Sequence, residues 1–450
     1  MNIEKLIDLL FEKGKEYRID DMEAYVIRDS SMNLNVYENE LEKYVVSEEE
    51  SLSLRGIYNY KMGYSYTEKL VPESLDELIN NLIQYAENND NVEIESITSP
   101  QEGNNKFTQK VNLLDNFTEE EKIEYLLDLE KKAYEVDKRV KTIDDCSYLE
   151  STQRIYIKNT KGLELEDSHT IGMVGISAVT QEDDDVQTGY TYHMFNSLEE
   201  EYKDMLIKDA VGDAIAMLGA KSIESGNYEV ILRNNVAADM FSSFSSVFLG
   251  NIVQKNLSLM KGKLGTEVAV EILNIKEDPL MESGKFCRKF DDEGTLTYSK
   301  YLIENGVLKT FLYSKTTAEK DGVPSTGNGF KTSHKASIGV MPTNMYIAGG
   351  SESLHEMVIS MKNGIIITDI HGLHAGINPT SGDFSLSSNG FLVEDGKIAR
   401  PLSQITVSGN LYTMLKDITA IGNDTKFSHP SFNYFGSPSL KIKSLTIAGK

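Results

Sequence analysis

A run of β-formers passes directly into a helical pattern at Tyr228–Leu264, and few sequence features restrict a fold more. Tyr228–Leu232 has the apolar, β-branched make-up of a short strand. From Val236 the period changes: Val236, Met240, Phe241, Phe244, Val247 and Phe248 share one helix side, while Asp239, Ser242, Ser243, Ser245 and Ser246 take the other. A strand feeding straight into such a helix is where many hydrolases place their chemistry. This helix face carries no His, Cys or Glu.

The flanking sequence predicts an α+β chain. Ile3, Leu6, Ile7, Leu10 and Phe11 predict a helix over Asn2–Lys15. Short strands are expected at Glu23–Arg28, Asn33–Glu38, Leu41–Ser47 and Ser51–Lys61, then a helix at Pro72–Glu87. Residues 88–110 are polar and read as a linker between a unit of about 1–90 and a second of about 110–225. Thr118 followed by Glu121 is a capping-box pattern that opens a helix reaching Val136. Strands are expected at Val140–Leu149, Arg154–Asn159, Leu163–Thr170, Ile171–Thr180 and Gln187–Phe195, with a hairpin turn at Asn159–Gly162 and a closing helix at Leu198–Glu224.

From 226 to 450 the chain alternates short strands and turns, with strands expected at Glu267–Ile272 and Cys287–Phe290 among others. Asn305-Gly306 and Asp395-Gly396 are hairpin signals flanked by β-formers. The expected architecture is two helix-flanked β units over 1–225, followed by a β-rich, mainly antiparallel C-terminal domain.

Charge narrows the function classes. Forty-five basic against 70 acidic residues leave −25, which argues against a nucleic-acid surface or an anchor on anionic membranes. The N-terminus lacks the basic start and continuous apolar core of a signal peptide, and no apolar run is long enough to span a bilayer. Cys146 and Cys287 stand far apart, as expected of reduced thiols in a cytoplasmic protein.

Three local patterns are candidate sites. His371 and His374, with Asp369 and Asp383 nearby, are the best metal-like constellation, although Gly372 and Gly376 make the segment a loop. Ser325, Thr326, Gly327 and Asn328 form a glycine-rich turn whose N–H groups could cradle an anion, but it lacks the Gly-Lys-Ser/Thr ending of a phosphate loop, so a tight turn is the better reading. Cys287 has no neighbouring His to activate it.

An ordered series of motifs resembles the TldD/PmbA family over roughly residues 20–450. It comprises Phe290-Asp-Asp-Glu-Gly294, Leu302-Ile-Glu-Asn-Gly-Val-Leu308, Ser325-Thr-Gly-Asn328 and Ile366-Ile-Thr-Asp-Ile370. Ser381-Gly-Asp-Phe384, Gly390–Lys397, Ile405–Asn410 and Ile421-Gly-Asn-Asp424 continue it, and Ile157–Leu163 matches upstream. The resemblance implies a two-subunit metallopeptidase system acting on unfolded or extended peptides, whose members were once called modulators of DNA gyrase. In such a system a TldD-type subunit carries zinc on an H-E-x-x-x-H helix, and a PmbA (TldE)-type subunit pairs with it.

Against that pattern, Arg233 stands for the first His, Asn234 for the Glu and Ala238 for the second His. Phe435 falls where a further cysteine ligand would be. The resemblance therefore implies the metal-free subunit: no catalytic or metal residue in this chain, zinc only in a TldD-type partner, and a heterodimer or homodimer. The 325–330 and 371–384 loops are expected to meet peptide. Two alternatives stand beside this reading. One is a stand-alone hydrolase built around His371 and His374; the other is a self-assembling peptide-binding scaffold.

Overall fold

The computed structural model describes residues 2–89, 96–101, 113–281, 284, 286–429 and 434–450. Most of the expected linker lies outside the described residues. The N-terminal half begins with α1 (Ile3–Glu16), whose first turn is capped by the Asn2 side chain accepting from the Glu4 N–H at 3.2 Å. Six strands follow: β1 (Met22–Tyr37), β2 (Glu40–Tyr58), β3 (Lys61–Thr67), β4 (Val140–Asn159), β5 (Glu164–Glu182) and β6 (Asp185–Phe195). They form one antiparallel sheet in the order β3-β2-β1-β4-β5-β6, so β1 of the first expected unit pairs directly with β4 of the second.

Four pairs of expected short strands merge. Glu23–Arg28 joins Asn33–Glu38 as β1; the same happens in β2, β4 and β5. The polar stretches between them, such as Ser30-Ser31 and Ser47–Glu50, break the side-chain pattern. They do not break the ladder, because its bonds are made by backbone groups that every residue here carries.

Side-chain parity explains the layers. Ala24, Val26, Leu34 and Val36 point to one face of β1. The first two pack under α1 and α2 (Leu75–Asn88). The second two pack under α3 (Glu119–Val136) and α4 (Glu200–Ala216). The capping box at Thr118 and Glu121 forms as expected. On the opposite face, Tyr25 and Ile27 pack with Phe290 of the C-terminal half, and Asp29, Ser31, Asn33 and Asn35 continue that face beyond the contact.

The C-terminal half is built on two further six-stranded sheets and a short two-stranded one. One six-stranded sheet runs Lys397–Asn410, Asp383–Glu394, Gly364–His371, β7 (Gly226–Leu232), Leu440–Ala448, Ile418–Ile421. Pairing is mainly antiparallel; β7 beside Gly364–His371 is parallel. After β7 comes α5 (Asn234–Phe244), continued by a tight turn at Ser245–Phe248. Its apolar side sits in the core cluster that spans both sheets. The two hairpin turns form as expected, with positive φ at Asn305, Gly306, Asp395 and Gly396. The strands expected at Glu267–Ile272 and Cys287–Phe290 do not form; Glu267 and Phe290 make isolated bridges only.

The halves meet at a buried cluster of charges. Arg55 on β2 donates to Glu23 on β1 at 2.7 Å and lies 3.7 Å from Glu293. Glu293 accepts the Lys315 N–H at 2.7 Å, and neighbouring Asp291 accepts the Gly329 N–H at 2.8 Å. Asp292 accepts from the Arg288 guanidinium at 2.6 Å and from the Lys331 N–H at 2.8 Å. Removing a single partner from such a set strands charge out of water. Arg55→Ala is therefore expected to cost about 3–5 kcal/mol, read as a lowered denaturation midpoint; an unchanged midpoint would show that the cluster does not hold the halves together.

Candidate functional site

The junction of β7 and α5 carries the residues of interest. Arg233 caps α5 with extended backbone, and its N–H bonds to the Ile367 carbonyl at 3.0 Å, so the neighbouring parallel strand fixes where the helix starts. The guanidinium forms a two-pronged pair with Asp213 of α4 at 2.9 and 2.8 Å. It also donates to the Thr368 carbonyl at 3.0 Å and the Asn235 side chain at 2.7 Å. Arg233 thus ties the N-terminal half to the C-terminal sheet.

Asn234 is equally committed. Its amide donates to the Asp424 carbonyl at 2.6 Å, and its backbone N–H bonds to Ser439 Oγ at 3.1 Å. Asp424 holds Ser439 through both the N–H and the hydroxyl, at 2.8 and 2.7 Å. Ala238 is fully buried. Phe435 is buried and stacks on Phe241 of the same helix, ring centroids 5.6 Å apart.

These four positions do not fit zinc. The ion needs lone pairs from imidazole, thiolate or carboxylate. A guanidinium has none to give, and methyl and phenyl groups have none at all. The Asn234 side-chain oxygen accepts the Asn235 N–H at 2.7 Å. Among the described residues, no group of three or more His, Cys, Asp or Glu could hold a metal ion.

The other candidate residues separate. His371, at the end of its strand, pairs with Asp369 at 2.9 Å, which raises the imidazole pKa; both side chains are more than half exposed. His374 sits exposed on the one-turn helix Leu373–Gly376. Asp383 accepts from the Asn410 amide at 2.8 Å, and that bond holds its pKa below the usual carboxylate range.

The glycine-rich stretch is a tight turn whose polar groups bond within the protein. Thr326 and Asn328 are buried, and the Thr326 hydroxyl donates to Asn328 at 2.7 Å. The Asn328 amide donates to Glu277 at 3.1 Å and the Met341 carbonyl at 3.0 Å. The N–H groups of Thr326 and Asn328 go to the Tyr313 carbonyl, each at 3.3 Å, and the Ser325 hydroxyl goes to the same oxygen at 3.2 Å. A turn whose donors are spent inside the protein cannot cradle an anion. Gly327 has φ +70°, and a Cβ there would lie 2.6 Å from the Leu296 carbonyl, which is why the turn needs glycine.

Two charged residues beside the junction stand out only in three dimensions. Asp239, one turn along α5, is largely buried, and its pKa is pushed up to about 6, first by burial and then by Asp369. Lys426 is pulled below the usual lysine range by burial; it donates to the Thr191 hydroxyl at 3.3 Å and lies 5.7 Å from the centre of the Tyr192 ring. In the sequence Asp239 shows only as one of the polar residues on the side opposite the apolar stripe. Asp213 and Lys426 carry no local signal, because their partners are distant in sequence.

A raised folded-state pKa means that the native state takes up a proton more readily than the unfolded chain, so Asp239 lowers stability as pH rises from about 4 through 6. Asp239→Asn is expected to melt higher than the parent at pH 8, with the gain vanishing at pH 4. Equal melting temperatures at both pH values would refute the assignment.

Comparison with known proteins places this arrangement. Models of the PmbA/TldA metallopeptidase family match three stretches: domain 1 over 22–86, the central domain over 112–218 and the C-terminal domain over 225–449. A metalloprotease PmbA homolog from Buchnera aphidicola subsp. Baizongia pistaciae is 27% identical over 325 residues, 71% of this chain and 68% of that protein. The Thermotoga maritima protein solved as a modulator of a DNA gyrase is 29% identical, with a TM-score of 0.90 over 99% of this chain and all of that one. TldE from Thermococcus kodakarensis shares the fold at a TM-score of 0.90 and 22% identity, over 99% of this chain and 100% of that one. With its three domains matched in order, the chain belongs to the PmbA/TldD metallopeptidase family.

Proposed function

We propose that this chain is the non-catalytic, metal-free member of a PmbA/TldD-type metallopeptidase complex, working on extended peptides beside a zinc-bearing TldD-type subunit. The observation that carries the reading is the set of side chains at the β7–α5 junction. Arg233 and Asn234 are engaged with Asp213 and Asp424, Ala238 is buried, and Phe435 is stacked on Phe241. The fold shared with TldE supports the pairing. Zinc belongs, on this reading, to the partner subunit.

What this chain contributes is shape. Peptide capture by strand addition needs only backbone groups and side-chain pockets, and both survive the loss of a metal. A homodimer with the same task is the alternative assembly. The proposed setting is the cytoplasm; among the described residues no helix is long and apolar enough to cross a membrane. A stand-alone hydrolase at His371 finds support only in the Asp369–His371 pair, since His374 and Asp383 are engaged or exposed elsewhere.

The chain purified without chelator should hold less than about a tenth of an equivalent of transition metal, because a closed site would bind tightly and retain it. It should leave unfolded peptides intact alone, co-purify with a TldD-type subunit, and raise that subunit's peptidase rate. Chelator-sensitive hydrolysis by this chain in isolation would overturn the proposal, as would a TldD-type subunit equally active without it.

A further inference from the structure

We propose that the open edge of β2, Glu40–Ser51, is a docking edge for an extended, cationic segment of another polypeptide. Among the described residues, the edge is bare. β3 covers β2 only from Leu52, which pairs with Thr67, to Tyr58, which pairs with Lys61. Residues 40–51 have β1 on one side and, among the described residues, no strand on the other. In an antiparallel ladder, alternate residues of an edge strand turn their N–H and C=O groups outward, which leaves a row of sites for strand addition.

Edges of this length are commonly blunted by proline, bulges or charged side chains, and this one carries its charges at Lys43 and towards both ends. Here the middle of the edge is Tyr44-Val45-Val46, exposed to 44%, 41% and 51%. Tyr44 and Val46 point to the side of α3, and Val45 points to the other, so an added strand would find apolar contact on both faces.

Charge selects the occupant. The edge carries Glu40, Glu42, Glu48, Glu49 and Glu50 against Lys43 alone. The start of α3 adds Glu119, which accepts from the Tyr44 hydroxyl, and Glu120. A second copy of this chain is the wrong partner. Antiparallel self-pairing centred on Val45 sets Glu42 opposite Glu48 and Glu40 opposite Glu50, at both ends of the joint. Like charges placed directly opposite oppose pairing. A strand with lysine or arginine flanking two or three β-branched residues reverses every one of those contacts. This edge lies on the N-terminal sheet, apart from the β7–α5 junction, so the inference stands whether or not a metal-bearing subunit is the partner.

The test uses the full chain and two fluorescein-labelled ten-residue peptides, one alternating lysine with valine and threonine, the other with glutamate in place of lysine. Anisotropy should show saturable binding of the lysine peptide only. The double variant Glu42→Lys/Glu48→Lys should lose at least about tenfold in affinity for it, with an unchanged melting temperature. Val45→Pro or Val46→Pro, whichever residue turns its N–H outward, should abolish binding. If the proline variants fail to fold, the charge-reversed variant still decides.

Three results would overturn the proposal. One is no saturable binding up to about 1 mM peptide. Another is affinity unmoved by the charge reversal, which would mark general attraction to an acidic protein. The third is self-association in sedimentation that the proline variants remove while the parent binds no peptide.

Discussion

Burial of charge at one seam holds this molecule in a single arrangement. Glu23 and Arg55 from the N-terminal sheet and Glu293 from the C-terminal half all lie out of water, so each must find a buried partner: Arg55 bonds to Glu23 within its own sheet and reaches Glu293 across the seam. The Asp291-Asp292-Glu293 segment meets that demand twice over. Its carboxylates face the arginines on one side and accept backbone N–H groups of Lys315, Gly329 and Lys331 on the other. The seam between halves and the shape of the 325–331 turn are therefore one structure. Shifting either would leave carboxylates without donors, at a cost comparable to the stability of a whole domain.

The same logic operates at the β7–α5 junction with different residues. There the backbone starts a helix beside a parallel strand, with the Arg233 N–H bonded to the Ile367 carbonyl. The Arg233 guanidinium brings a charge to this junction and pairs it with Asp213. The pair holds α4 against the C-terminal sheet, a structural task. Phe435 packs onto Phe241 as an ordinary core contact. Packing and an ion pair occupy the junction.

Much of this could be read from the residues. The hairpin turns at Asn305-Gly306 and Asp395-Gly396 were legible because positive φ demands Asn, Asp or Gly. The capping box at Thr118 and the helix stripe from Val236 to Phe244 were legible because both signals are local. Long strands were not: Ser30-Ser31 and Ser47–Glu50 looked like ends, since side-chain alternation fails there while backbone pairing continues. At Ser325–Asn328 composition left an anion cradle as an alternative to the tight turn, because glycine-rich turns that bind anions and those that bury their donors share one composition. Only Tyr313, Glu277 and Met341, brought from elsewhere in the chain, distinguish them.

By itself, the sequence determined the family and most element types, and that Arg233, Ala238 and Phe435 bring no lone pair for a metal to the β7–α5 junction. Each of those depends on which atoms a residue carries. Tertiary structure decided what Arg233, Asn234 and Phe435 bind or pack against, that one sheet joins both N-terminal units, and that, among the described residues, no strand pairs with the outer side of Glu40–Ser51. Each of those depends on which distant groups the folded chain brings within reach, and residue identity does not encode distance.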